Sequence, residues 1–123
     1  MKIQSVKRIG TASLLLAALV SPSAGAATGF FAAKVLGVLI DSANFGGCMA
    51  FLSVSPTSTL PGCGANWVSF SCTGDFTDTV RAYRMLDQAQ LALATQKNAG
   101  FSIDDTKLHN GYCFANRIDI YNW

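Results

Sequence analysis

The chain has no glutamate: all seven of its acidic residues are aspartate, and charged residues fill only 13% of its 123 positions. That scarcity excludes a charged disordered tail and a basic arm for nucleic acid. His109 is the sole histidine, and no C-x-x-C or H-x-x-x-H spacing occurs, so the familiar zinc patterns are missing. No G-x-S-x-G turn is present, which removes the nucleophile elbow of the α/β hydrolases. Nor does any apolar run reach the roughly 20 residues that cross a bilayer as a helix. What remains is abundant apolar surface, 50% hydrophobic residues, in a length that suits one small domain.

The N-terminus reads as an export signal. Lys2, Lys7 and Arg8 supply a positive start, residues 11–20 (TASLLLAALV) a short apolar core, and Ala24-Gly25-Ala26 a small-x-small cleavage motif. The expected division is therefore a signal peptide over 1–26 and a single domain over 27–123, secreted or periplasmic. Cleavage after Ala26 leaves six basic residues against seven aspartates. A chain so balanced has no electrostatic reason to seek nucleic acid or an anionic membrane.

Beyond the signal, the pattern predicts a mainly β domain with one helix. Residues 34–41 (KVLGVLID), 48–54 (CMAFLSV) and 66–72 (NWVSFSC) read as strands, with a turn-rich 55–65 segment broken by Pro56, Pro61, Gly62 and Gly64. In the third run Val68, Phe70 and Cys72 alternate with Trp67, Ser69 and Ser71. A helix follows, with Thr77 as N-cap and Ala82, Leu86, Ala89 and Leu93 as its apolar stripe, broadened by Val80, Met85 and Ala92. Gly100 is its expected stop. A final hairpin pairs 101–104 with 112–121 across a polar loop. The order β-β-β-α-β-β predicts a five-stranded, OB-fold-like barrel.

All four cysteines fall in the mature part, and an even count in a small exported chain reads as two disulfides. Setting Cys48 opposite Cys72 across the second and third strands also places Ala50 opposite Phe70 and Leu52 opposite Val68, one apolar face. Cys63 with Cys113 is then the second bridge.

Few residues suggest chemistry. Asp104, Asp105 and His109 could be drawn as an acid–base or metal cluster, but Asp and His are ordinary turn residues and fit no familiar ligand spacing there. The expectation is a non-catalytic protein with no cofactor and no metal. Trp67, Ser69 and Ser71, beside Met49 and Phe51, form an outward face unusually rich in apolar area. That face is a platform for a sugar ring, a subunit interface, or a surface covered by Phe30-Phe31. Trp67, Ser69 and Ser71 are the candidate ligand contacts, and Tyr112, Tyr121 and Trp123 read as packing.

The hairpin GGCMAFLS (46–53) … WVSFSC (67–72) and the helix YRMLDQAQLALATQKN (83–98) resemble the binding subunits of pertussis-like and subtilase-type AB5 toxins. In those subunits an analogous cysteine hairpin precedes a helix with a leucine-x-x-glutamine-alanine pattern. Here Leu86-Asp87-Gln88-Ala89 and Thr95-Gln96-Lys97 occupy the matching stretch, and the resemblance covers roughly 33–104. The segment 104–120 (DDTKLHNGYCFANRIDI) is similar to small exported bacterial proteins. The resemblance implies a homopentamer of OB barrels that binds cell-surface glycans and carries a separate catalytic subunit. The family's sugar-contacting serine has no counterpart in Phe31-Ala32-Ala33-Lys34, and its aromatic contact near the helix end is also missing. The expected role is a secreted binding module, glycan-binding as the resemblance implies. The alternative is a monomeric periplasmic protein that grips another protein through the Met49/Phe51/Trp67 patch.

Overall fold

A computed structural model describes residues 27–122. The expected signal segment over 1–26 and Trp123 lie outside the described residues.

Five strands and one helix make up the domain: β1 (Thr28–Ile40), β2 (Cys48–Leu52), β3 (Trp67–Ser69), α1 (Thr79–Thr95), β4 (Asn98–His109) and β5 (Tyr112–Ile120). The sheet closes into a ring in the order β1-β2-β3-β5-β4, with β1 pairing β2 on one side and β4 on the other. All pairs are antiparallel except β3 with β5, which meet in parallel at Ser69 and Phe114. Ring closure gives each strand two neighbours, although β3 and β5 share only one paired position. A one-turn 3₁₀ helix, Pro56–Ser58, sits between β2 and β3 where a plain turn segment was expected. The order of elements therefore carries one helical turn more than β-β-β-α-β-β.

β1 begins well before the apolar run at 34–41. Phe31, Ala33 and Val35 alternate inward with exposed Phe30, Ala32 and Lys34, the period of a half-buried strand. A register shift between Val35 and Gly37 then moves the inward set to Val38, opposite Ala50. Phe30 and Phe31 pair with Ser102 and Phe101 of β4; Phe31 points into the core and the Phe30 ring lies over Gly100, so neither lines the Met49/Trp67 face. Phe31 meets Phe101 inside the ring, with ring centroids 5.8 Å apart. Phe70, Phe101, Leu52, Ile103, Val35 and Val68 complete the centre of the core, each fully buried.

The helix covers the ring with Ala82, Met85, Leu86, Ala89 and Ala92. Its N-cap is Asp78, one residue after the expected Thr77, and Asp78 Oδ1 accepts from the Arg81 amide at 2.8 Å. Val80, expected on the buried side, is 62% exposed. The helix stops at Thr95, because Gln96 takes a left-handed conformation and its Nε2 donates to the Leu93 carbonyl. Gly100 is thus not a helix stop but a strand residue. The rings of Phe30 and Tyr121 lie over it, where a side chain would collide with both.

The final hairpin is longer than expected, with Thr106 and Lys107 inside β4 and a register shift between Asp104 and Leu108. Asn110 and Gly111, both at positive φ, make the two-residue turn.

The two disulfides are Cys48–Cys72 and Cys63–Cys113. The β2–β3 register differs from the one that sets Cys48 opposite Cys72. Met49 faces Ser69, Ala50 faces Val68 and Phe51 faces Trp67, a slip of two residues that leaves the inward face unchanged. Phe70 N donates to Cys48 O, and the strand has ended by Ser71, at φ 61°. The left-handed turn at Ser71 then swings Cys72 back to Cys48. Among the described residues no helix is long and apolar enough to cross a membrane.

Candidate functional site

β2 places Cys48, Ala50 and Leu52 in the core, so its alternation points Met49 and Phe51 to the outer face. Leu39 of β1 stands opposite Met49, and Trp67 of β3 opposite Phe51 with ring centroids 5.0 Å apart. Two further rings stand over this face. Phe45 comes from the 41–47 loop between β1 and β2, and Tyr112 opens β5 directly after the β4–β5 turn. They meet edge to face at 5.8 Å. Leu39, Phe45, Met49, Trp67 and Tyr112 line a cavity of about 170 Å³. Met49 is its buried floor at 2% exposure, and the other four are half-buried. The only side-chain hydrogen-bonding groups among these five are the Trp67 indole N–H and the Tyr112 hydroxyl.

Of the three candidate contacts, the structure brings only Trp67 to this cavity. Ser69 and Ser71 are fully buried and engaged inside the protein, a correction to the exposed hydroxyl face. Ser69 Oγ donates to the Phe45 carbonyl at 2.8 Å and accepts from the Ser71 amide at 3.2 Å. Ser71 Oγ accepts from the Phe76 amide at 3.1 Å and lies 3.0 Å from His109 Nε2. Ser69 points outward by strand parity, but the 41–47 loop folds down over it, and Ser71, past the end of the strand, is closed in by Phe76 and His109.

His109 organises this buried layer. Its ring packs tilted against Phe76 with centroids 4.5 Å apart, it pairs across the hairpin with Tyr112, and Gly46 packs its backbone against the imidazole. With Ser71 Oγ already accepting from Phe76, the serine hydroxyl is free to donate to Nε2, which suits the neutral imidazole. Burial pushes the His109 pKa below its ordinary value, opposed in part by the charge of Asp75. A serine at positive φ beside an imidazole has the outline of a nucleophile and its base. Here Ser71 has no exposed surface, and neither the aromatic cavity nor the shallow one beside Asp78, Arg81 and Arg84 reaches it. Ser69, bonded to the Phe45 carbonyl, and His109, packed against Gly46, hold the loop that carries Phe45.

Asp104, Asp105 and His109 do not converge. Asp104 Oδ1 accepts from the Thr106 amide and hydroxyl, Asp105 Oδ1 accepts from the Ala27 amide, and His109 turns to Ser71. Thr106 first, then Lys107, holds the Asp104 carboxyl below its ordinary pKa against the opposing effect of burial. Among the described residues no three His, Cys, Asp or Glu side chains gather to hold a metal ion.

Phe45, Leu39 and Tyr112 are the residues that the strand pattern alone does not reveal. Phe45 sits in a segment of turn composition, and its one local signal is an aromatic side chain directly before Gly46-Gly47. Comparison with protein families, curated proteins and solved structures gives no match to this chain. The geometry of the cavity therefore carries the functional argument.

Proposed function

We propose that this chain is an exported, non-catalytic binding module built on an OB-type barrel, and that its aromatic cavity seats one apolar side chain of a protein partner. The observation that carries this reading is the cavity's lining: five apolar or aromatic side chains and only two side-chain hydrogen-bonding groups. Drug-sized ligands occupy roughly 300 to 1,000 Å³. A cavity of about 170 Å³ suits a single ring or branched aliphatic group instead. An apolar anchor leaves nothing unpaired there, whereas a sugar's hydroxyls would need donors and acceptors that the buried Ser69 and Ser71 do not offer.

The OB assignment draws support from the position of the cavity. OB barrels bind ligands on the face of strands two and three, between the loops joining strands one to two and four to five. Met49 and Trp67 lie on that face here, Phe45 comes from the first of those connections, and Tyr112 opens β5 directly after the second. Two disulfides fit export to an oxidising compartment.

Glycan binding is the second reading, favoured by the convergence of three aromatic rings, Phe45, Trp67 and Tyr112, on one depression. In that case the homopentamer implied by the AB5 resemblance would add avidity to weak single sites. Panning a displayed peptide library and probing a glycan array with the same protein separates the two. The proposal expects selected peptides to share an aromatic or branched aliphatic anchor and to lose binding to Trp67→Ala. Binding confined to glycans, and dependent on Trp67, would replace the protein partner with a sugar.

A further inference from the structure

β1 and β4 run antiparallel from Thr28 opposite Asp104 to Lys34 opposite Asn98. One step further out, the Asp105 amide donates to the Ala27 carbonyl at 3.2 Å. Opposed residues of a hydrogen-bonded antiparallel pair exchange two backbone bonds. Here the return bond goes to a side chain: Ala27 N donates to Asp105 Oδ1 at 3.1 Å. Ala27 itself packs against the core, which fixes this nitrogen in place.

A peptide amide has one hydrogen and no net charge, and a backbone carbonyl serves it fully. A carboxylate is matched better by a cation, since charge-assisted hydrogen bonds are about twice as strong as neutral ones. Directly before this nitrogen the sequence reads Ala24-Gly25-Ala26, a small-x-small motif. We propose that the Ala26–Ala27 peptide bond is hydrolysed during export and that the α-ammonium released on Ala27 pairs with the Asp105 carboxylate. Water adds its oxygen to the Ala26 carbonyl carbon, the C–N bond breaks, and Ala26 leaves as the carboxylate of the signal segment. The nitrogen of Ala27 keeps the electron pair and is protonated to an ammonium, three donors on the atom that now holds one.

The position is selective. Consecutive Cα atoms are about 3.8 Å apart, so cutting one bond earlier carries the charge away from Asp105. Cutting one bond later removes the nitrogen that reaches it. The pair closes the outer end of the β1–β4 seam, where the ring of strands is completed. This inference rests on the export reading, and its test separates the two.

The full precursor is expressed with export, and the N-terminus of the recovered protein is read by intact mass and sequential degradation. The α-amine is then titrated by NMR in the parent and in Asp105→Asn. The expected result is an N-terminus at Ala27 whose α-amine titrates above the ordinary value of about 7.7 to 8.0 and returns to it in Asp105→Asn. An uncut chain, or a cut elsewhere, overturns the export and processing reading. A cut at Ala27 with the same amine titration in parent and variant overturns the ion pair alone. Should Asp105→Asn fail to fold, the parent is titrated at low and high salt. A raised value that relaxes with screening supports the pair, and an ordinary value at both salts overturns it.

Discussion

Gly46 is the point where the cavity's architecture is most exposed to a single atom. It adopts φ +76°, and an added Cβ would fall 2.5 Å from both His109 Cδ2 and Ser69 Oγ. Neither neighbour has room to retreat. The imidazole is held between Phe76 and Ser71, and the Ser69 hydroxyl is committed to the Phe45 carbonyl. A left-handed backbone costs an alanine about 1 to 2 kcal/mol, and overpacking a filled site adds about 1 to 3 kcal/mol. Gly46→Ala should therefore destabilise the domain by roughly 2 to 5 kcal/mol. At about 4 to 8 °C per kcal/mol for a domain of this size, thermal unfolding should fall on the order of 8 to 40 °C. Gly111→Ala is the matched control: φ is +87° there, and nothing lies within 4 Å of the added atom. It should carry the backbone cost alone. Calorimetry or circular dichroism of both variants, disulfides intact, makes the comparison. Equal losses at the two positions would refute the claim that Gly46 is seated against a fixed His109–Ser69 layer.

Further expectations concern the buried titratable groups, the disulfides and the helix cap. Because burial lowers the His109 pKa, the neutral ring is the form the fold favours, so stability is full above about 6.5 and declines as pH falls through that value. Denaturation series between pH 7.5 and 5 should show this slope and lose it in His109→Gln; an unchanged slope would place its origin elsewhere. Asp104, whose pKa is also lowered, acts in a separate window, with its stabilisation lost only below about 3.8. Opening the Cys63–Cys113 bridge, which spans 50 residues, should cost about 4 kcal/mol, against about 3.5 kcal/mol for the 24-residue Cys48–Cys72 loop. Urea unfolding of the two paired serine variants measures both, and a loss under 1 kcal/mol from either would contradict the chain-entropy account. Asp78→Ala should cost about 1 kcal/mol through loss of the cap to Arg81 N, read as a shift in the denaturation midpoint.

The face assignments were legible because strand alternation is a local property. Val68 and Phe70 are buried and Trp67 is not, as their spacing in the third run suggests. The same parity misplaces Ser69, covered by a loop more than 20 residues earlier in the chain, and Ser71, which lies past the strand's end against Phe76 and His109. The β2–β3 register escapes for a related reason: both registers bury the same residues, and the choice is made by the left-handed turn at Ser71, an unusual conformation for serine. The helix is visible from its stripe, but its end is set by Gln96 rather than by the nearest glycine. Tyr112 reads as packing because only the folded hairpin shows it standing edge-on to Phe45.

On the function proposed above, the depression between Leu39, Phe45, Met49, Trp67 and Tyr112 accepts an apolar group. The most direct test is the indole N–H of Trp67, assigned by Trp67→Phe and followed by NMR while p-cresol, 3-methylindole and a methyl pyranoside are added in turn. Saturable shifts of the Trp67 signal are expected with the two side-chain analogues and none with the sugar. A signal that stays still with both analogues would contradict that function.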